Sequence, residues 1–104
     1  MSEQEYSIER DGIPNLDFTG NLIGSSGGPA PQFRIYRTKA GKYIGEMRVD
    51  AKRSNTSHVD KPSDLIAWLR TEVGGPITPA AQDAVEEAAK SDDAFRAAWN
   101  EHVD

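Results

Sequence analysis

Cysteine is absent from the 104 residues, and this absence excludes several kinds of chemistry at once. Without thiols the chain can form no disulfide, offers no thiolate nucleophile and cannot build a Cys-ligated zinc or iron–sulfur site. Histidine is nearly as scarce, and neither His58 nor His102 stands at metal-ligand spacing from the other. We therefore expect the protein to bind no metal and no cofactor.

Long apolar runs are also missing. No window, including the N-terminal MSEQEYSIERDG, has the continuous apolar stretch that a signal peptide or a membrane span requires, so we expect a cytoplasmic protein. A hydrophobic share of 37% supplies enough side chains for one modest core, and a charged share of 28% is ordinary for a soluble globular protein. The sequence therefore predicts a folded protein and not a disordered one.

Motifs for catalysis are few. The loop GSSGGPAPQ, residues 24–32, lacks the Lys-Ser/Thr ending of a phosphate-binding loop and the spacing of a dinucleotide-binding one. Its serines could form a nucleophilic site with His58 as base and Asp60 as orienting group, but nothing in the sequence places these residues together. We expect no catalytic residue, and an enzyme ranks behind the binding functions considered below.

The chain divides into a short arm and one domain. Residues 1–14 are polar, which predicts a flexible N-terminal arm, and residues 15–104 form the domain. In LDFTGNLI, residues 16–23, apolar side chains alternate with polar ones as in a half-buried strand. The segment FRIYRTKAGKYIGEMRV, residues 33–49, predicts a hairpin, and a short edge strand is expected around His58.

The side chains of the hairpin select its register. A two-residue loop would set Phe33 against Arg48 and would place apolar against charged residues along the whole ladder. A three-residue loop ending at Gly41 sets Phe33 against Met47 instead. Such a loop needs a left-handed residue at its third position, which glycine adopts without steric cost. We therefore predict the three-residue loop.

This register sorts the hairpin side chains onto two faces. Four apolar side chains are predicted to face the core: Phe33, Ile35, Met47 and Val49. Gly45 leaves a gap on the same face, which the indole of Trp68 or Trp99 is expected to fill. On the other face Arg34 falls directly opposite Glu46 and is expected to form a cross-strand ion pair.

The remaining basic and aromatic residues of the hairpin raise the question of an acidic partner. They form a candidate interaction surface: Tyr36, Arg37, Lys39, Lys42 and Arg48. Sheets that bind nucleic acid stack bases on several exposed aromatics, whereas Tyr36 is the one clear candidate here. Residues 34–61 carry eight basic against three acidic residues, a net of +5, while both ends of the chain are acidic.

The second half of the chain predicts three helices. Their expected ranges are 63–73, 79–90 and 92–103. Ser63 is expected to cap the first helix, which Gly74 ends, and Thr78 followed by Pro79 begins the second. The fold class is therefore α+β, with an antiparallel three- to four-stranded β-meander followed by three α-helices that pack on one face.

Two segments resemble a known pattern. FTGNLI, residues 18–23, and YRTKAGKY, residues 36–43, resemble the F-x-G-x-L strand and the YRT-x-x-G-x-Y hairpin of small bacterial proteins that include the EXLDI family. The Glu-x-Leu-Asp-Ile signature of that family does not occur in the chain. The resemblance implies a compact fold of strands followed by helices, in a bacterial protein, and it implies no catalytic residues.

Binding is the function that these observations favour. The first hypothesis is a small, acidic, cytoplasmic interaction or regulatory protein, not an enzyme, that binds a protein partner or forms a homodimer. The second is nucleic-acid binding through the hairpin at residues 33–49. A third is mimicry of a nucleic-acid surface by the acidic helices, because residues 79–104 carry seven acidic against two basic residues.

Overall fold

Strands occupy the first part of the chain and helices the second, in a computed structural model that describes residues 3–9, 12, 14–28, 31–49, 54–74 and 78–99. The strands are β1 (Gln4–Ile8), β2 (Leu16–Ser25), β3 (Gln32–Thr38), β4 (Tyr43–Arg48) and β5 (Ser54–Val59). The helices are α1 (Pro62–Val73), α2 (Pro79–Ser91) and α3 (Asp93–Trp99).

The strands form one antiparallel sheet in the order β1-β2-β3-β4-β5, so each strand pairs with its neighbours in sequence. The predicted α+β class and meander are confirmed. The sheet has five strands and not three to four, because Gln4–Ile8, within the segment expected to be an arm, pairs with β2. Tyr6 lies opposite Phe18 and Ile8 opposite Leu16, and such apolar cross-strand pairs stabilise the ladder.

The predicted register of the β3–β4 hairpin is confirmed. Phe33 pairs with Met47 and Ile35 with Gly45. The turn closes through a hydrogen bond of 2.9 Å from the Gly41 backbone N–H to the carbonyl of Thr38. Gly41 has a φ of +84°, which is the left-handed conformation that the three-residue loop requires.

The main core lies between one face of this sheet and the helices. It contains side chains of β2, β3 and β4 together with residues of all three helices, among them Phe33, Leu65, Val85 and Phe95. Gly45 contributes the expected gap. A Cβ there would lie 2.7 Å from both Leu65 Cδ1 and Trp68 Cζ3, so Trp68 is the indole that fills the space.

Two expectations about this region are wrong. Val49, which the alternation assigned to the core, is 37% exposed because β4 ends at Arg48 and the ladder does not extend to it. Ser63 does not cap α1. The helix begins one residue before it, at Pro62, and its N-cap is Lys61, whose side chain makes no capping hydrogen bond. The first position of a helix accepts proline readily, because the backbone N–H that proline lacks would have no partner within the helix there.

The starts of the other two helices follow the prediction. The Thr78 side chain accepts a hydrogen bond from the Ala81 N–H at the start of α2. Asp92 accepts one from the Phe95 N–H at 2.9 Å and precedes α3. The part of the third predicted helix beyond Trp99 lies outside the described residues. Within the described ranges, no helix is long and apolar enough to cross a membrane.

Candidate functional site

The face of the sheet opposite the helices also carries apolar side chains. Because side chains alternate along a strand, every second residue points away from the main core. We call this surface the open face. Its side chains include Tyr6, Ile8, Leu16, Phe18, Leu22, Arg34, Tyr36, Ile44, Glu46, Arg48, Thr56 and His58.

An apolar cluster lies on the part of the open face formed by β1, β2 and the middle of the β3–β4 hairpin. Ile8, Tyr36 and Ile44 are buried in it, and the other apolar members pack against them. The rings of Tyr6 and Phe18 stack with centroids 5.3 Å apart, and Tyr36 meets them at 4.9 and 5.0 Å. Aromatic pairs at such separations contribute about 0.5–1.5 kcal/mol each beyond their buried area. All described members of this cluster lie on strands, so the helices leave it uncovered.

A polar group adjoins the apolar cluster. The Glu46 carboxylate is only 1% exposed, accepts a hydrogen bond from the Tyr36 hydroxyl at 3.4 Å and pairs with Arg48 Nη2 at 3.1 Å. Burial raises the pKa of the Tyr36 hydroxyl, the negative Glu46 raises this pKa further, and Arg34 partly offsets the rise. Arg34 lies opposite Glu46, as the register predicted. The open face therefore joins an apolar area to an arginine-rich one.

A shallow depression of about 380 Å³ lies on the open face near the β3–β4 turn. Phe18 and Ile44 supply apolar lining, and Lys39, Lys42 and His58 line it as well. The Lys42 ammonium pairs with Asp60 at 3.4 Å. Among the described residues Lys39 has no ion pair, and Asp17 also lines the depression, so its apolar floor is flanked by groups of both charges.

The predicted interaction residues do not form one surface. Tyr36 and Arg48 lie on the open face, with the Tyr36 ring covered by its aromatic neighbours and the residue only 3% exposed. Lys39 and Lys42 lie near its edge at the turn. Arg37 points to the opposite side of the sheet, because it is one residue out of phase with Tyr36.

Arg37 belongs to a buried network on the helix side. Its Nη1 lies 3.4 Å from the Asp92 carboxylate, whose side chain is 1% exposed. The same carboxylate accepts hydrogen bonds of 3.0 and 3.1 Å from the Tyr43 hydroxyl. Burial raises the pKa of that hydroxyl, and its hydrogen bond to Asp92 raises it further. The network joins the sheet to the corner between α2 and α3.

No catalytic arrangement forms from the residues considered in the sequence. The Ser26 hydroxyl accepts a hydrogen bond from the Phe33 N–H, which closes the loop before β3. His58 lies on β5, three strands away from Ser25 on β2, or about 14 Å at the usual strand spacing. The described part of the chain also holds no cluster of three or more His, Cys, Asp or Glu side chains suited to a metal ion.

The open-face cluster is the feature that sequence reasoning missed. Its signal was present in Tyr6 and Ile8, which alternate with polar residues in QEYSI. Five residues are too few to separate a strand from a polar arm by period alone. The contact between the Tyr6 and Tyr36 rings also depends on the pairing of β1, β2 and β3. That pairing joins segments distant in sequence, so a local pattern does not reveal it.

A comparison of the chain with protein-family models, with curated proteins and with solved structures finds no match.

Proposed function

We propose that the chain is a non-enzymatic, cytoplasmic interaction domain that binds another protein through the open face. The observation that carries this proposal is the apolar cluster around Tyr6, Phe18 and Tyr36, on the sheet face that the helices leave uncovered. Antiparallel sheets with one solvated face usually place polar side chains there. An apolar area outside the main core is typical of a surface that a partner covers.

The accessible part of this surface supports the same function. Leu22 is 44% exposed, and Tyr6, Leu16 and Phe18 are half-buried at the margin of the cluster. Aromatic and aliphatic side chains in such positions contribute the central apolar contacts of protein interfaces. The depression beside Phe18 and Ile44 offers room for one apolar side chain of a partner.

Charge indicates the chemistry of the partner. Arg34 is exposed at one end of the open face, where the nearby acid Glu46 is buried. Lys39 is exposed at the other end, where Asp17 lines the same depression. Oppositely charged groups at the rim of an interface steer association and fix its register. The occupant that fits is therefore a protein segment that presents apolar side chains next to carboxylates.

Nucleic acid fits this surface less well. Stacking on a base requires an exposed ring, and the Tyr36 ring is covered by Tyr6 and Phe18. Those two rings stack on each other and are half-buried, so each offers only part of its surface to a base. Arg37 would not contact a strand bound on the open face, because it lies on the other side of the sheet. A second copy that paired through its own open face would bring the exposed cations Arg34 and Lys39 of the two copies onto one interface.

Capture from a native lysate with matched variants tests the proposal. The open-face variant combines Leu22→Gln with Arg34→Glu, two changes at exposed positions. The control is Arg70→Glu, which makes the same charge reversal on the exposed side of α1. We expect the wild type and the control to retain one protein that the open-face variant loses, and we expect its capture to weaken with added salt.

Thermal melting of all three proteins must first show that they are folded. The captured protein is then purified and titrated against the wild type and both variants. Equal affinity of the wild type and the open-face variant would contradict the proposal, as would capture that nuclease treatment abolishes.

A further inference from the structure

A separate pocket lies at the corner where β2 and β3 meet the junction of α2 and α3. Its volume is about 370 Å³, near the lower end of the range of small-molecule sites. Its apolar lining comes from Tyr6, Leu22 and Ile23. Its polar lining comes from Gln4, Asn21, Arg37, Ser91 and Asp92. The pocket adjoins the open face at Tyr6 and Leu22, but its charged groups, Arg37 and Asp92, are on the helix side of the sheet.

The Asp92 carboxylate positions the Arg37 guanidinium in this pocket. The Asp92 carboxylate that contacts Arg37 Nη1 is itself fixed by the Tyr43 hydroxyl and by the Phe95 N–H. The Arg37 side chain remains 54% exposed. Within the described residues, its other guanidinium nitrogens have no hydrogen-bond partner, so they remain available to a ligand.

The Nε and Nη2 nitrogens of Arg37 carry three N–H groups, and such a fork of donors fits a carboxylate. Arginine binds carboxylates through two parallel hydrogen bonds, and an acidic neighbour that orients the guanidinium lowers the entropy lost on binding. The Arg37–Asp92 pair is close to neutral as a whole. Attraction is therefore short-ranged, and the affinity for a small acid should be weak, in the millimolar range.

We infer that this pocket is a carboxylate-binding site, with Arg37 as the anion-recognising residue and Leu22 and Ile23 as the wall for a short branched apolar group. Asn21 lies directly opposite Arg37 in the β2–β3 ladder, where its amide can donate a further hydrogen bond to the ligand. The same chemistry occurs in a free branched-chain acid and in the carboxyl terminus of a peptide. The site shares Leu22 and Tyr6 with the open face, but its recognising residue, Arg37, lies on the other side of the sheet, so substitution of Arg37 tests this site and not the open face.

Titrations followed by ¹H–¹⁵N spectra of the full chain test this inference. The probes are isovalerate for a free acid and N-acetyl-leucine for a peptide terminus, each compared with its amide. We expect the backbone amide signals of residues 21–23, 37 and 91–92 to shift with at least one acid. The matching carboxamide should bind at least about tenfold more weakly than that acid. The acid that binds more tightly identifies the source of the carboxylate.

Three variants make the result specific. Arg37→Gln should lower the affinity about tenfold or more, whereas Lys39→Gln, which removes one positive charge two residues away, should change it less than about twofold. Asn21→Asp keeps Arg37 and the fold but sets a carboxylate against the guanidinium, so it should also weaken binding. This variant separates lost recognition from lost stability if Arg37→Gln does not fold.

Three results would each overturn the inference. The first is no shift with either acid up to about 50 mM. The second is equal binding of acid and amide, and the third is unchanged binding by Arg37→Gln and Asn21→Asp.

Discussion

Gly41 shows how one residue fixes the geometry of a hairpin. Its φ is +84°, and a Cβ at this position would have nothing within 4 Å, so the requirement for glycine is conformational and not steric. The sequence predicted this residue because a single turn position determines which side chains face each other. Gly45 was predicted as a gap in the same way, although the sequence left Trp68 and Trp99 as alternatives.

Replacement of Gly41 by valine should therefore destabilise the fold by about 1–2 kcal/mol, since a β-branched residue disfavours the left-handed region. Gly27→Val is the matched control. Gly27 also lies in open space but has no positive φ, so we expect a change within about 0.5 kcal/mol. Urea denaturation gives both values, and equal loss of stability in the two variants would contradict the assigned role of Gly41.

Two buried tyrosines should make the stability of the protein decrease at alkaline pH. Burial raises the pKa of both Tyr36 and Tyr43 above the ordinary value of 10.0. The folded state then keeps protons that the unfolded state loses, so the stability present below pH 10 falls as pH rises through the folded-state pKa values. The fall should be shallower in Tyr43→Phe than in the wild type, measured by urea denaturation at steps from pH 8 to about pH 11. Parallel pH profiles for the two proteins would contradict this expectation.

Elements were predictable where a local signal marks them. Thr78 followed by Pro79 marked the start of α2, and the alternation in residues 16–23 marked β2. The start of α1 was misplaced because Pro62 and Ser63 are both acceptable at a helix start, and the sequence does not decide between them. β1 was missed because its stability comes from pairing with Phe18 and Leu16 and not from its own five residues.

Packing of α1 on β4 should depend on the missing side chain of Gly45. Gly45→Ala places a Cβ 2.7 Å from Leu65 Cδ1 and Trp68 Cζ3, so we expect a loss of about 1–3 kcal/mol of stability. In a double-mutant cycle, Trp68→Leu should relieve part of this loss, with a favourable coupling of about 1 kcal/mol. Additive effects of the two changes would show that the indole does not cover Gly45.

At the scale of the whole molecule, the sheet separates two apolar surfaces. The helices cover one of them with Leu65, Val85 and Phe95. The other holds the rings of Tyr6 and Phe18 beside arginine side chains. The sequence predicted only the first surface, because the alternation in the hairpin indicates one face toward the core and the other toward solvent. The second became visible only when the pairing of β1, β2 and β3 brought their side chains together.

The function of the open face is tested most directly by site-specific photo-crosslinking in a native lysate. A benzoylphenylalanine probe replaces Leu22 on the open face in one protein and Gln82 on the exposed side of α2 in another. We expect the probe at position 22 to join the chain to one other protein, with a band that nuclease does not change, and the probe at position 82 to give no such band. Crosslinks from position 22 only to a second copy or to nucleic acid, or the same bands from both positions, would contradict protein binding through the open face.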